Sequence, residues 1–418
     1  MNRSVAPEYT QAKDLKIIAP EKKVSASGVE VFLMRDVKDS SVKVDFEWSA
    51  GTKYQTKKLV SNFTNKLIFA GTAEKNSNQI AEEIDFYGGY TSLEVDKDHA
   101  ALTIYGLNDK ISDICSLVKD AFEKANFPQS ELQKELSIAK SKFNIDIEKV
   151  KVLCSRTFNR KLYGEHSAYG QIADLEDFDK LTRQDLISYY NEFYKTKPVI
   201  FITGDVSDSF VEEILNWANE FVEERKVINP DVNNQAKGLI KIEREDAIQS
   251  AIRVGRLMFD KNHKDYFNFQ LLNTILGGYF GSRLMANIRE DKGYTYGIGS
   301  GMAVLQDASY FFISTEVGKD VNENTIEEIK KELKLLCEIE VSEDELLKVK
   351  NYMLGEFLRQ ADGPLSQMEI FKNIYFNNLK SSYYHDFIQA IHSASANDLK
   401  KLANEYFVED EMLMVVAG

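Results

Sequence analysis

Cysteine and proline are scarce in this sequence. The three cysteines, Cys115, Cys154 and Cys337, lie far apart without a CxxC spacing, which argues against a disulfide framework and against a cysteine zinc site. We expect these thiols to be reduced. Only six residues are proline, while 43% are hydrophobic and 28% charged, and this composition excludes disordered, collagenous and proline-rich proteins.

Basic residues are outnumbered. The 52 Lys and Arg residues stand against 66 Asp and Glu, which gives a formal net charge of −14. A phosphate backbone would be repelled, so no nucleic-acid partner is expected. Two explanations of the acidic excess stay open: simple solubility, or a cavity that favours basic peptides.

Long apolar runs are also missing. Charged residues interrupt the opening segment, Met1–Lys23, which therefore lacks the apolar core of a signal peptide. No later window approaches the roughly 20 apolar residues of a membrane span. These patterns predict a cytoplasmic protein without a membrane partner.

The sequence contains an internal repeat. Residues 185–204 read DLISYYNEFYKTKPVIFITG, and residues 398–418 read DLKKLANEYFVEDEMLMVVAG. Each segment has an amphipathic helix that ends in Asn-Glu and two aromatic residues, followed by a β-rich run and a glycine. The two segments start 213 positions apart.

Two further segments recur at nearly the same offset. Ser130–Lys134, SELQK, matches Asp344–Lys348, DELLK. Apolar residues with i, i+3, i+7 spacing also form one helix face in each half. The matched faces are Ile111, Ile114, Val118 and Ala121 in one half and Ile326, Ile329, Leu333 and Leu336 in the other.

This repetition predicts two homologous domains, residues 1–228 and 239–418. The polar segment between them, residues 229–238 (NPDVNNQAKG), is typical of a linker. In the first half, strand patterns at Val29–Met34 and Val42–Trp48 precede the helices, and another strand closes the half. We therefore predict an α+β fold in which each domain has a mixed or antiparallel sheet with helices packed on one face.

Residues 276–302, LGGYFGSRLMANIREDKGYTYGIGSGM, contain a glycine pair, Ser-Arg-Leu and Arg-Glu-x-x-Gly-x-x-Tyr. This segment resembles the second-domain pattern of the M16 (pitrilysin and mitochondrial-processing-type) zinc peptidases. FPQSELQKE at Phe127–Glu135 and YGQIADLEDFDKLTRQDL at Tyr169–Leu186 support the resemblance. It covers nearly the whole chain and implies a clamshell-forming fold.

The first half departs from the zinc-binding pattern of that family. Active members carry HxxEH on a helix and a glutamate about 75 residues further on, but the run that follows the motif, LIFAGT at Leu67–Thr72, aligns the motif here with Asn62-Phe63-Thr64-Asn65-Lys66. Zinc needs three ligands with imidazole, thiolate or carboxylate groups. Asn62 and Lys66 are not such ligands, and Asn65 cannot act as a general base. The later glutamate position falls near Ser141 or Lys142.

The spacing of Leu59, Phe63 and Leu67 still predicts an apolar helix face around this motif. No other metal site is expected from the five histidines. Only His385 and His392 are close in sequence, and they are interpreted as surface residues. Neither Gly88-Gly89 nor Gly277-Gly278 belongs to a phosphate-binding loop motif.

The resemblance also implies a role for two residues of the second half. In the family, one chain of a pair carries zinc, and the other presents an arginine and a tyrosine to the same site. These correspond to Arg289 and Tyr296, with Gly293 between them, and they would bind substrate. A structural interpretation stays open: Arg289 as a cation near a helix C-terminus, and Tyr296 as a half-buried strand aromatic.

Two hypotheses follow. The first is a non-catalytic subunit, inactive alone and without its own cofactor, that completes the active site of a zinc-carrying M16 partner for peptide hydrolysis. The second is a degenerate scaffold or peptide-binding protein, like the respiratory-complex core subunits of the family. The intact Arg-Glu-x-x-Gly-x-x-Tyr segment favours the first. A homodimer stays open.

Overall fold

A computed structural model describes residues 17–35, 40–225, 227–228 and 236–418. In these residues, eleven strands form a six-stranded sheet in the first half and a five-stranded sheet in the second, in the orders β1-β2-β6-β3-β5-β4 and β7-β11-β8-β10-β9. The strands are β1 Glu21–Val24, β2 Glu30–Met34, β3 Ser41–Trp48, β4 Tyr90–Val95, β5 Ala100–Leu107, β6 Val199–Thr203, β7 Gly238–Ile242, β8 Gln249–Met258, β9 Ile298–Ala303, β10 Ser309–Gly318 and β11 Leu413–Ala417.

The two sheets have the same strand order once the extra edge strand β1 is set aside. In each sheet one parallel pair, β2 with β6 or β7 with β11, adjoins antiparallel strands. The predicted two-domain α+β fold with mixed sheets is therefore confirmed. Of the predicted linker, residues 229–235 lie outside the described residues, and the boundaries at 228 and 239 stay predictions.

The helices form where the sequence has the helical period. The apolar face of α3 that begins at Ile111 is buried, and so is the matching face of α10 that begins at Ile326. The helices are α1 Val60–Lys66, α2 Ser77–Phe86, α3 Ile111–Glu123, α4 Gln129–Ile147, α5 Val150–Tyr163, α6 Asp177–Lys180, α7 Arg183–Tyr189, α8 Asp208–Ala218, α9 Tyr266–Asn273, α10 Asn322–Glu338, α11 Glu343–Gln360, α12 Pro364–Phe376, α13 Tyr383–Ser393 and α14 Ala396–Tyr406.

Each sheet has one face packed against helices of its own half. Strand β3 shows why, because every second residue from Val42 to Trp48 is apolar and buried on the inner face. Helices α1, α2, α3, α7 and α8 contribute to this first core, and α9, α10, α11 and α14 to the second.

One helix of each half also packs on the outer face of the sheet in the other half. Helix α5 packs through Cys154 and Phe158 on Leu413 and Val415 of β11. Helix α12 packs in return on β2 and β6, where Met368 joins the cluster around Phe201. This exchange joins the two halves, and the helical periodicity alone did not predict it.

The described residues contain neither a disulfide nor a membrane-spanning helix. All three cysteines are unpaired, and Cys115 and Cys154 are buried. Within the described ranges, no helix is both long and apolar enough to cross a membrane.

Candidate functional site

The helix that replaces the zinc motif is α1, beside the edge strand β4. It begins at Val60, and Leu59 lies outside it as the N-cap with φ +73°. The predicted apolar face is therefore shorter than the spacing indicated, and it is limited to Phe63 and the C-cap Leu67, both buried. Asn62 and Lys66 are exposed on another side of this helix.

The structure gives the motif residues other partners. The Tyr194 hydroxyl donates to Asn65 Oδ1 at 2.8 Å, and Asn65 is buried. Lys66 forms an ion pair with Glu135 of α4, the helix that would carry the downstream glutamate. A carboxylate near the motif is thus paired with an ammonium group.

Zinc does not fit these residues. Asn62 offers a neutral amide, Lys66 places a cation where a ligand would be needed, and Ser141 and Lys142 are exposed residues without a carboxylate. Among the residues that the structure describes, no group of three or more His, Cys, Asp or Glu could hold a metal ion. His385 and His392 are both exposed on α13.

We expect the purified chain to bind no stoichiometric zinc and to hydrolyse no peptide on its own, because positions 62, 65 and 66 supply neither ligands nor a base. Elemental analysis after dialysis and a quenched-fluorescence peptide assay measure both properties. A zinc-carrying M16 enzyme serves as the positive control. One tightly held zinc per chain would contradict this interpretation of α1.

Arg289 lies in the last turn of a π-helical segment, Met285–Asp291. Its guanidinium carbon lies 4.5 Å from the centroid of the Phe280 ring, and that ring is 65% exposed. Arg289 is half-buried and has no ion pair among the described residues. The position near a helix C-terminus was anticipated, but the stacking on an exposed aromatic ring was not.

Tyr296 is 96% exposed and lies in a bend before β9. The alternative interpretation as a half-buried strand aromatic is therefore wrong. The loop is held by its neighbours: Thr295 Oγ1 donates to the Glu316 carbonyl at 2.7 Å and accepts from the Thr315 hydroxyl at 3.0 Å. Gly293 has φ +68°, a left-handed conformation that favours glycine.

Arg289 and Tyr296 are thus on one short connection, but no hydrogen bond or cation–π contact joins their side chains within the described ranges. The Tyr294 amide donates to the Ile288 carbonyl at 3.0 Å, which ties the start of the loop to the π-helical segment. The backbone is therefore held by hydrogen bonds, while Tyr296 is almost fully exposed and Arg289 is half-buried.

A second candidate site, a charged groove on the outer face of the first sheet, was not predicted. It has a volume of about 630 Å³ and is bordered by strands β3, β4 and β5 and by helix α12. Acidic side chains outnumber basic ones there. The acidic members are Asp45, Glu47, Glu94, Asp96 and Glu369, and the basic ones are Lys43 and Lys372, with His99 beside them.

Lys372 of α12 lines this groove and contacts two carboxylates of β3. Its Nζ lies 2.6 Å from Asp45 Oδ2 and 2.9 Å from Glu47 Oε1, and its side chain is 9% exposed. Burial alone would lower the pKa of Lys372, but the Glu47 and Asp45 carboxylates hold that pKa above its ordinary value. Burial raises the pKa of Glu47, and Lys372 offsets part of that effect.

One sequence signal could have indicated the groove. Lys43, Asp45 and Glu47 alternate with the buried apolar residues of β3, so they must share its outer face. Their partner Lys372 lies more than 320 positions away, and no local pattern connects the two.

The fold and the altered motif define a two-domain protein of the zinc-peptidase type in which motif positions 62 and 66 supply no zinc ligand. The chain belongs to the M16 peptidase family. Residues 31–167 match the family model described as insulinase (peptidase family M16), and residues 180–353 match the model described as the peptidase M16 inactive domain.

Curated relatives and a solved structure agree with this assignment. The chain is 22% identical to the uncharacterized zinc protease YmxG of Bacillus subtilis, over 94% of this chain and 96% of that protein. It is 20% identical to the non-peptidase homolog YmxG of Helicobacter pylori, over 80% and 78%. The crystal structure of a peptidase M16 inactive domain from Pseudomonas fluorescens matches with a TM-score of 0.85 and 22% identity, over 96% of this chain and 98% of that one.

Proposed function

We propose that this protein is a non-catalytic subunit that completes the active site of a zinc-carrying M16 partner for peptide hydrolysis. One observation carries the proposal: Arg289, at the end of a π-helical segment, has no ion pair among the described residues, and the hydrogen-bonded loop that follows presents Tyr296 almost fully to solvent. Any zinc would belong to the partner.

The chemistry of the two side chains suits a peptide substrate. The carbonyl oxygen of a scissile bond gains negative charge in the tetrahedral transition state, and donors placed to meet that charge lower the barrier. A guanidinium group offers several N–H donors in a fixed plane, and a phenol offers one O–H. The stacking of Arg289 on Phe280 limits the freedom of the guanidinium before substrate arrives.

Mixing this chain with a zinc-carrying M16 chain tests the proposal. We expect a complex that hydrolyses a quenched peptide, whereas each chain alone hydrolyses it slowly or not at all. Light scattering after chromatography measures assembly, and fluorescence measures the rate. A complex that forms but gains no activity would contradict the proposal.

A peptide-binding protein without a role in hydrolysis is the second candidate, and the charged groove favours it. The groove has five carboxylates against two lysines, which suits a basic peptide. If this is the function, a fluorescent basic peptide will bind the isolated chain, and Glu94→Gln will weaken that binding. Retained binding by Arg289→Ala together with loss by Glu94→Gln would favour this candidate over the first.

A further inference from the structure

A second groove, in the second half of the chain, has no role in the proposed function. It lies between β7, β11 and α10 and has a volume of about 980 Å³. Its floor is apolar and includes Val254, Met414 and Cys337, while Leu239 and Lys334 lie towards its rim. We call this the β7–α10 groove.

The corresponding place in the first half is filled by a helix. Strands β2, β6 and β3 hold the positions that β7, β11 and β8 hold in the second sheet, and α3 corresponds to α10. Helix α8 packs into this place. The ring centroid of its Trp217 lies 4.3 Å from that of Phe46 on β3 and 6.2 Å from that of Phe122 on α3.

The residues that α8 contacts have counterparts that line the β7–α10 groove. Phe46 pairs with Ile200 in the first sheet as Val254 pairs with Met414 in the second. Phe122 corresponds to Cys337 at the offset of 215 that relates α3 to α10. The groove is therefore equivalent to the place where α8 packs, with smaller side chains at two positions, Val254 in place of Phe46 and Cys337 in place of Phe122.

The equivalent residues of β2 and β7 differ in exposure. Val31 of β2 pairs with Ile200, and Leu239 of β7 pairs with Met414, so Val31 and Leu239 are equivalent. Val31 is 0% exposed and lies between β1 and β6, whereas Leu239 is 54% exposed and lies on the edge strand β7. Among the described residues, no helix that corresponds to α8 packs in this groove.

We propose that the β7–α10 groove binds an amphipathic helix of a partner protein, with the pattern that α8 shows. Its buried face would carry aromatic and branched apolar residues, as Phe210, Ile214 and Trp217 do in α8. Helix-in-groove recognition uses such anchors at i, i+4 and i+7.

The charge of Lys334 at the groove indicates a further feature of the bound helix. In the first half, Lys119 of α3 forms an ion pair with Glu220, just beyond the end of α8. Lys334 holds the equivalent position on α10 and is 72% exposed, with Glu338 3.6 Å away. The bound helix would therefore carry an acidic residue at its C-terminal end, opposite Lys334.

The α8 sequence itself is the probe for the test. A labelled peptide of residues 207–222 can be held helical by a hydrocarbon staple between positions 212 and 216, which are exposed in α8. We expect saturable binding to the full chain. Leu239→Glu should lower the affinity about 10-fold or more, because an apolar contact is replaced by a buried charge.

The ion pair expected between Lys334 at the rim and Glu220 of the peptide can be tested separately. Lys334→Glu should weaken the peptide about 2- to 5-fold, as expected for an exposed ion pair. The peptide variant Glu220→Lys should restore the loss. This reciprocal rescue distinguishes the proposed orientation from nonspecific apolar binding.

Leu347→Glu is the matched control, since Leu347 lies on α11 and is also 54% exposed. It should leave the affinity unchanged. The absence of saturable binding, or equal weakening by Leu347→Glu and Leu239→Glu, would overturn the proposal. Self-association of the chain that Leu239→Glu abolishes would also overturn it, because a second copy would then cover the groove.

Discussion

Replacing Arg289 by alanine is expected to lower the rate of peptide hydrolysis by the assembled pair about 100-fold, the usual cost of losing a charge-stabilising donor. Tyr296→Phe removes only the phenol O–H and should have an effect in the same direction. In the subunit-completion model both groups act on charge that develops in the transition state, so kcat should fall more than KM rises. Initial rates over a range of peptide concentrations measure this.

Assembly and folding should survive both substitutions, because Tyr296 is 96% exposed and Arg289 has no ion pair in the described residues. Arg359→Ala and Tyr352→Phe are the matched controls. Arg359 is an exposed arginine paired with Glu356 at 2.6 Å, and Tyr352 is a tyrosine of the same half that is 39% exposed. Full activity in an assembled Arg289→Ala, Tyr296→Phe double variant would contradict the subunit-completion model.

Among the substitutions proposed for this protein, Lys372→Met is expected to lower the free energy of unfolding most. Lys372 joins the second half to Asp45 and Glu47 of the first sheet, and the side chains of Lys372 and Asp45 are 9% and 2% exposed. Its removal leaves buried carboxylates without this cation, which typically costs about 3–5 kcal/mol. Lys43 remains 3.1 Å from Asp45, so Glu47 is the residue most affected. Urea unfolding measures the shift in midpoint.

The loss from Lys372→Met should depend on pH. A carboxyl whose folded-state pKa lies above its unfolded value stabilises the fold at low pH, and this contribution is lost as the pH rises through the folded-state pKa. Burial already raises the pKa of Glu47, and Lys372 acts in the opposite direction. Removing Lys372 raises that pKa further. The deficit should therefore be larger at about pH 8 than at about pH 5.

Lys140→Met is the control for this prediction. Its Nζ lies 2.6 Å from Asp179, but its side chain is 35% exposed and that of Asp179 is 67% exposed. A solvated pair of this kind contributes about 0–1 kcal/mol. If Lys372→Met cost no more than Lys140→Met, or cost the same at both pH values, the cluster would not stabilise the fold as described.

The regular elements could be predicted from the sequence because their patterns are local. The apolar faces of α3 and α10 and the alternation in β3 depend on residues a few positions apart. These expectations are confirmed. Helix α1 is shorter than the apolar spacing predicts, because Leu59 adopts a left-handed backbone conformation at its N-cap. The spacing of apolar residues does not reveal such a conformation.

The candidate sites were predictable only in part. Residue identity alone showed that Asn62, Asn65 and Lys66 cannot form a zinc site, because ligand chemistry belongs to the side chain wherever it lies. The exposure of Tyr296 was misjudged in one interpretation, because aromatic residues near strands are commonly half-buried. Its exposure depends on a bend that Thr295 holds through β10.

The sequence by itself determined the α+β class, the family and the loss of the zinc ligands, since periodicity, motif spacing and side-chain chemistry are properties of short segments. Only the tertiary structure decided that α12 brings Lys372 onto the carboxylates of β3, and that α8 packs on Phe46 of the first sheet while Leu239 of the second sheet stays exposed. Both outcomes depend on which helix packs on which sheet face. That choice is made by contacts between residues far apart in the chain, for which no local pattern exists.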